Sequence, residues 1–186
     1  DSVKKHIICL GDSNTHGYCA DPADCADPAL ARFNEEERWT KLLQKHLGDD
    51  YLVVEEGLSG RTTVFQDPLY EGLSALEYLY PCLKSHEPVG LLIIMLGTND
   101  VKQRMGTNAY AVGLGMRRLI RKAKTVDCWG PEGQPNILVI APPPISKQLY
   151  CSSVAEEMGE GSVERSQAVP AQFRAVCEEE GVHFLD

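Results

Sequence analysis

Three short polar segments of this chain carry residue types suited to acyl-transfer chemistry: Gly11-Asp12-Ser13, Ser59-Gly60-Arg61 and Gly97-Thr98-Asn99-Asp100. A serine held in a tight turn can offer its hydroxyl as a nucleophile. The tetrahedral intermediate it forms needs two or three hydrogen-bond donors aimed at the developing oxyanion. The backbone N–H groups of Ser13 and Gly60, with the side-chain amide of Asn99, would supply three. Glycine at position 60 lets the backbone approach a substrate with no side chain in the way. Asn99 donates while staying uncharged. Asp12 and Asp100 adjoin the nucleophile and the amide and are expected to hold them in place.

Each of these residues also has a plainer role open to it. Ser13 could be a helix N-cap, and so could Asn99 or Asp100. Gly60 could fill a turn position with positive φ. His16 reads as a loop histidine rather than a base. Their joint placement weighs against the plain roles, because caps need not sit beside glycine at the mouths of three successive strands.

Those strands are read from short apolar runs at Ile7–Leu10, Tyr51–Val54, Leu91–Leu96, Ile137–Ala141 and Val182–Leu185. The third run has no polar alternation, as expected of a strand covered on both faces. Helical patterns fall between the runs. Asn34 and Glu37 resemble a capping box ahead of Trp39, Leu42, Leu43 and Leu47, with Gly48 as a stop. Thr107–Thr125 places Val112, Met116, Leu119, Ile120 and Ala123 on one helical face and cations near its C-terminal end. Phe173, Val176 and Cys177 mark a last helix stopped by Gly181. Alternating strands and helices imply one domain with a parallel sheet and right-handed crossovers. Ligands of such a sheet bind beyond the carboxyl ends of its strands, where all three polar segments lie.

The 186 residues are 43% hydrophobic and 24% charged, ordinary for a globular domain. A net charge of −9 argues against nucleic acid and anionic membrane surfaces as partners. No run approaches the roughly 18 apolar residues of a membrane span, and a signal peptide is not expected from the opening residues. The seven cysteines include no Cys-x-x-Cys pair, so a zinc knuckle or thioredoxin-like motif is not expected. Cys9 and Cys177 lie in apolar patterns where a free thiol behaves as a small hydrophobe. The expectation is a reduced, cytoplasmic setting.

The blocks Gly-Asp-Ser at 11–13, Ser-Gly-Arg-Thr-Thr at 59–63 and Gly-Thr-Asn-Asp at 97–100 resemble the first three blocks of the SGNH, or GDSL, hydrolase family. The likeness is stronger to its mycobacterial arylesterase/acyltransferase branch. It shows in Arg38-Trp39-Thr40, in Glu55-Glu56-Gly57-Leu58-Ser59, in Ile93–Asp100 with Lys102, and in Pro142–Pro144. The resemblance implies a flavodoxin-like three-layer α/β/α sandwich with a five-stranded parallel sheet. It also implies Ser13 as nucleophile, and Gly60 and Asn99 completing the oxyanion hole. The implied substrate is a small-molecule ester, cleaved or transferred through an acyl-enzyme, with no cofactor and no metal. A homo-oligomer is left open.

The chain departs from the family in one respect. The family's base is a histidine in a C-terminal Asp-x-x-His block after the last strand. Here His183 and Asp186 stand in the reverse order, and His6, His16, His46 and His86 match no family position for the base. The expectation is a longer natural chain, with on the order of 30 further residues holding that block and a closing helix. Without that helix, apolar surface on one flank of the sheet should be exposed. Two other functions share these motifs or this fold. One is carbohydrate deacetylation; the other is a non-catalytic, flavodoxin-like module cradling a phosphate in the Gly11–Gly17 turn.

Overall fold

The computed structural model describes residues 3–25 and 27–186. Five parallel strands form one sheet: β1 (Lys5–Gly11), β2 (Tyr51–Gly57), β3 (Val89–Met95), β4 (Ile137–Ile140) and β5 (His183–Leu185). Their spatial order is β2-β1-β3-β4-β5, with parallel pairing throughout. All five apolar runs of the sequence are therefore strands. The chain steps from β1 to β2 in one direction and then returns past β1 to β3. Right-handed crossovers make such a reversal move the connecting helices to the opposite face.

That rule accounts for the layers. One face buries Ile8, Leu10, Leu92 and Ile94 against α3 (Ala75–Ser85), α4 (Ala109–Thr125) and α6 (Ser162–Glu180). The other buries Ile7, Cys9, Val53 and Ile93 against Trp39, Leu43 and Leu47 of α2 (Trp39–Leu47). Successive strand residues alternate between the two cores, as a pleated strand requires. The sandwich is thus the expected α/β/α type. On the α2 face, Leu91, Leu138 and Ile140 are only half-buried, and Leu185 is exposed.

Helix boundaries differ from the sequence pattern in instructive ways. The second helix starts at Trp39, five residues after Asn34, whose side chain instead accepts from the Glu36 N–H (2.9 Å) in a separate turn. The intervening Arg38 is drawn away into a pair with Glu55. The helix α3 carries Pro81 and α6 carries Pro170, which obscure their helical patterns. The polar stretch after Pro144 is not plain loop: it holds a 3₁₀ turn at Lys147–Cys151 and the short α5 (Ala155–Met158). The cysteine reading also needs correction. Cys19 and Cys25, with Cα atoms 6.1 Å apart, form a disulfide, whereas Cys9, Cys82, Cys128 and Cys177 are buried free thiols and Cys151 an exposed one. No helix among the described residues is long and apolar enough to cross a membrane.

Candidate functional site

The point where strand order reverses lies between β1 and β3, and both end at the same rim. Directly after β1 the chain turns into α1 (Ser13–His16). Its N-cap is Asp12, whose Oδ1 accepts from the Asn14 N–H at 3.0 Å. Ser13 is therefore the first helical residue, and its hydroxyl is spared the capping role. A first-turn N–H has no partner within its own helix, which leaves the Ser13 N–H available to a ligand. The turn is tight. A Cβ at Gly11 would collide with Thr15, and one at Gly57, where β2 ends, would collide with the backbone of α1.

A second network braces α1 from behind. Arg38 donates to Glu55 through Nε (2.8 Å) and Nη2 (3.3 Å), and Thr40 Oγ1 adds a 2.6 Å bond to the same carboxylate. Burial pulls the Glu55 carboxyl upward, but the Arg38 and Thr40 hydrogen bonds hold it below the usual range. The Arg38 stem fills the space at Gly17, the residue that ends α1 with φ 99°. The Arg38-Trp39-Thr40 and Glu55-Glu56-Gly57 motifs thus serve the same turn.

The three blocks are tied together by Arg61. Its Nη1 donates to the Gly11 carbonyl (3.2 Å) and to the Glu56 carbonyl (2.5 Å), and its guanidinium lies 4.9 Å from the Tyr78 ring centre. The Arg61 carbonyl in turn accepts from Asn99 Nδ2 at 3.0 Å. An amide has two N–H donors; one anchors Asn99, which leaves the other for the cleft. Gly60 adopts φ +88°, which a side chain would strain. Asp100 is fully buried and accepts from the Thr63 N–H (3.1 Å) and Thr63 Oγ1 (2.5 Å).

Burial raises the Asp12 carboxyl to about 7, with the Asp100 charge adding to the rise and the Asn14 N–H opposing it. Asp100 is likewise pushed up to about 6 by burial, against its bonds from Thr63. Asp12 Oδ2 has no hydrogen-bond partner among the described residues. Two buried carboxyls thus adjoin Ser13 and Asn99 in the chain.

Ser13, Gly60 and Asn99 line one cleft of about 420 Å³. Asn14, Ser59 and Thr98 line it too, as do Tyr18, Lys102 and Glu157. Ile145, Leu149, Val154 and Met158 contribute an apolar wall. None of the wall residues belongs to the three polar segments. Lys102 could have been suspected from its place after Gly-Thr-Asn-Asp, but nothing local marks Glu157 or Met158. No cluster of His, Cys, Asp and Glu suited to a metal occurs among the described residues.

No described histidine lines this cleft. His16 sits on α1 with its carbonyl bonded to Arg32, and burial and the Arg32 charge hold its pKa down. His86 pairs with Glu56 at 2.9 Å, and His6 Nδ1 lies 2.7 Å from the His86 carbonyl. His183 is exposed on the edge strand β5. The phosphate-cradle alternative fares poorly at α1, which has four residues and already holds a carboxyl at its N-terminus.

Comparison with known proteins agrees with this arrangement. Residues 9–186 match the GDSL-like lipase/acylhydrolase family. The chain belongs to that family. As a member it is a serine-type carboxylic ester hydrolase. Among solved structures it is similar to a carbohydrate acetylesterase family member from Sinorhizobium meliloti, with 34% identity and a TM-score of 0.85 over 98% of this chain and 82% of that one. The inhibitor-bound aryl esterase of M. smegmatis gives 33% identity and a TM-score of 0.84, over 98% of this chain and 83% of that one. A lipolytic G-D-S-L protein from Veillonella parvula shares the fold, at 18% identity and a TM-score of 0.63, over 98% of this chain and 77% of that one. Among curated proteins no sequence matches.

Proposed function

We propose that Ser13 attacks small-molecule esters to form an acyl-enzyme, which passes its acyl group to water or to an alcohol. The Ser13 and Gly60 N–H groups and Asn99 Nδ2 are the proposed oxyanion donors. What supports this most directly is that all three residues line one apolar-walled cleft at the strand-order reversal. Each is held from behind by buried groups, so little reorganisation accompanies charge development. No described histidine reaches the cleft, so we assign the base to a histidine outside residues 3–186, in line with the family's Asp-x-x-His block. That part of the protein is also the proposed cover for Leu91, Leu138, Ile140 and Leu185.

The apolar wall favours an alkyl or aryl ester over a polyhydroxylated one, since burying unpaired hydroxyls is costly. Carbohydrate deacetylation is the second reading, supported by the likeness to the S. meliloti protein. Neither needs a cofactor, and the net charge of −9 supports neither nucleic acid nor an anionic membrane as partner. The five free thiols favour a reducing compartment such as the cytoplasm, and the Cys19–Cys25 bond is the feature that opposes it.

The test is Ser13→Ala in the protein that carries the assigned histidine, assayed on 4-nitrophenyl acetate with circular dichroism as the folding control. Hydrolysis should fall to background in a folded variant. Near-normal turnover would remove Ser13 as nucleophile.

A further inference from the structure

The oxyanion donors leave one group of charges in the cleft without a role. Lys102 lines the cleft, yet its side chain is only 8% exposed. An ammonium has three N–H donors, and among the described residues this one has a single carboxylate partner, Glu157 Oε1 at 3.3 Å. The same oxygen accepts a shorter bond, 2.8 Å, from Arg104 Nη1. Arg104 also holds Asp67 through Nη2 at 2.8 Å and Nε at 3.2 Å. Two cations and two carboxylates therefore balance, and of the four Lys102 and Glu157 line the cleft.

The two carboxylates differ in how firmly they are held. The Asp67 side chain is fully enclosed, whereas that of Glu157 is 49% exposed. Glu157 is on the four-residue α5, which also contributes Met158 to the wall. Its pKa lies below the ordinary carboxylate range, first through the Arg104 hydrogen bond and then, against burial, through Lys102. Lys102 and Arg104 together make a seat for one carboxylate, and the protein fills that seat itself.

We propose that Glu157 sets the charge specificity of the cleft: by occupying the seat made by Lys102 and Arg104, it restricts the site to uncharged esters. A substrate bearing its own carboxylate must displace Glu157 or meet its negative charge. Once Glu157 is neutral, the nearly buried Lys102 ammonium is left facing the cleft and becomes an anion subsite. A charged partner in a partly desolvated site interacts far more strongly than one in water. This inference rests on the esterase reading and refines its substrate class.

The experiment compares kcat/KM for two acetyl esters of equal shape, the anionic 4-acetoxybenzoate and the neutral 4-acetoxybenzamide. It is repeated with the 3-substituted pair, and benzoate is compared with benzamide as inhibitor. The parent protein should prefer the neutral member of each pair. Glu157→Gln should raise the anionic-to-neutral ratio by about tenfold or more, and it should tighten benzoate inhibition without tightening that of benzamide. Adding Lys102→Met to that variant should cancel the gain. If Glu157 only tethers α5, both esters change together, and a ratio within about twofold of the parent's overturns the inference while leaving the esterase reading intact. A gain that persists without Lys102 overturns its assignment as the anion's partner. A parent protein that hydrolyses neither ester overturns the esterase reading, and the inference with it.

Discussion

The two sides of the cleft are built differently. The rim of strand ends places Ser13, Gly60 and Asn99 on buried supports: Asp12 is fully enclosed, Arg61 spans the ends of β1 and β2, and Asp100 is bonded twice to Thr63. The wall comes from residues 145–158, a 3₁₀ turn and one short helix; Met158, Ile145 and Leu149 reach the main core, and the polar contacts lie nearer the surface. These are the Tyr150–Glu164 bond (2.6 Å), the Ile145 N–H to Ser166 bond (3.1 Å) and the Glu157 pairs. Donors that must meet a developing charge gain from rigid placement. A wall that selects the substrate by shape and charge can sit on a peripheral segment and vary without disturbing the chemistry. The rim should therefore govern kcat, and the wall KM and substrate preference.

The largest expected effect tests the rim. Asn99→Ala removes one of the proposed oxyanion donors and should lower kcat by about 10²–10³-fold with smaller changes in KM. Steady-state kinetics on 4-nitrophenyl acetate measure the split. A change confined to KM would make Asn99 a ground-state binding residue and erase the proposed division.

A smaller effect tests the supports beneath the rim. Asp12 is raised from 3.8 to about 7 in the folded protein, and Asp100 from 3.8 to about 6. The folded state then binds more protons than the unfolded one between these values. Stability should accordingly be greatest below about pH 4 as far as these two groups are concerned, and their contribution should be lost as pH rises towards 7. For Asp12 the loss is on the order of 4 kcal/mol at most. Asp12→Asn keeps an oxygen for the Asn14 N–H but cannot ionise, so it should flatten this part of the profile. Urea denaturation at several pH values reads it. An unchanged slope would mean that Asp12 is not the titrating support.

The smallest effect tests the wall. Leu149 is half-buried and reaches the cleft. Leu149→Ala should raise KM for an aryl ester by about tenfold, as expected for lost apolar contact in a pocket, with kcat retained. A fall in kcat matching that of Asn99→Ala would show that the wall also positions the reacting groups.

Much of the rim could be read before the fold was known, because its function constrains residue type locally. Gly60 must tolerate positive φ, Gly11 must admit Thr15, and the proposed role of Asn99 asks for a donor without charge. The five strands were readable for a similar reason: a parallel sheet covered on both faces demands continuous apolar runs such as Leu91–Leu96. Boundaries set by competing partners were less readable. Asn34 satisfies a local capping pattern, yet α2 begins later because Arg38 finds Glu55, seventeen residues away.

What the linear sequence determined by itself was the acyl-transfer chemistry and the sheet that carries it, since both are written in short segments of restricted residue type. Only the tertiary structure decided that Asp12 caps α1 in place of Ser13 and that Arg61 joins three blocks. It also decided that Cys19 meets Cys25 and that Glu157 neutralises Lys102. These pairings join residues up to 55 positions apart, as Lys102 and Glu157 are. A charge or thiol carries no local signature of its eventual partner, because packing chooses that partner from every compatible group along the chain.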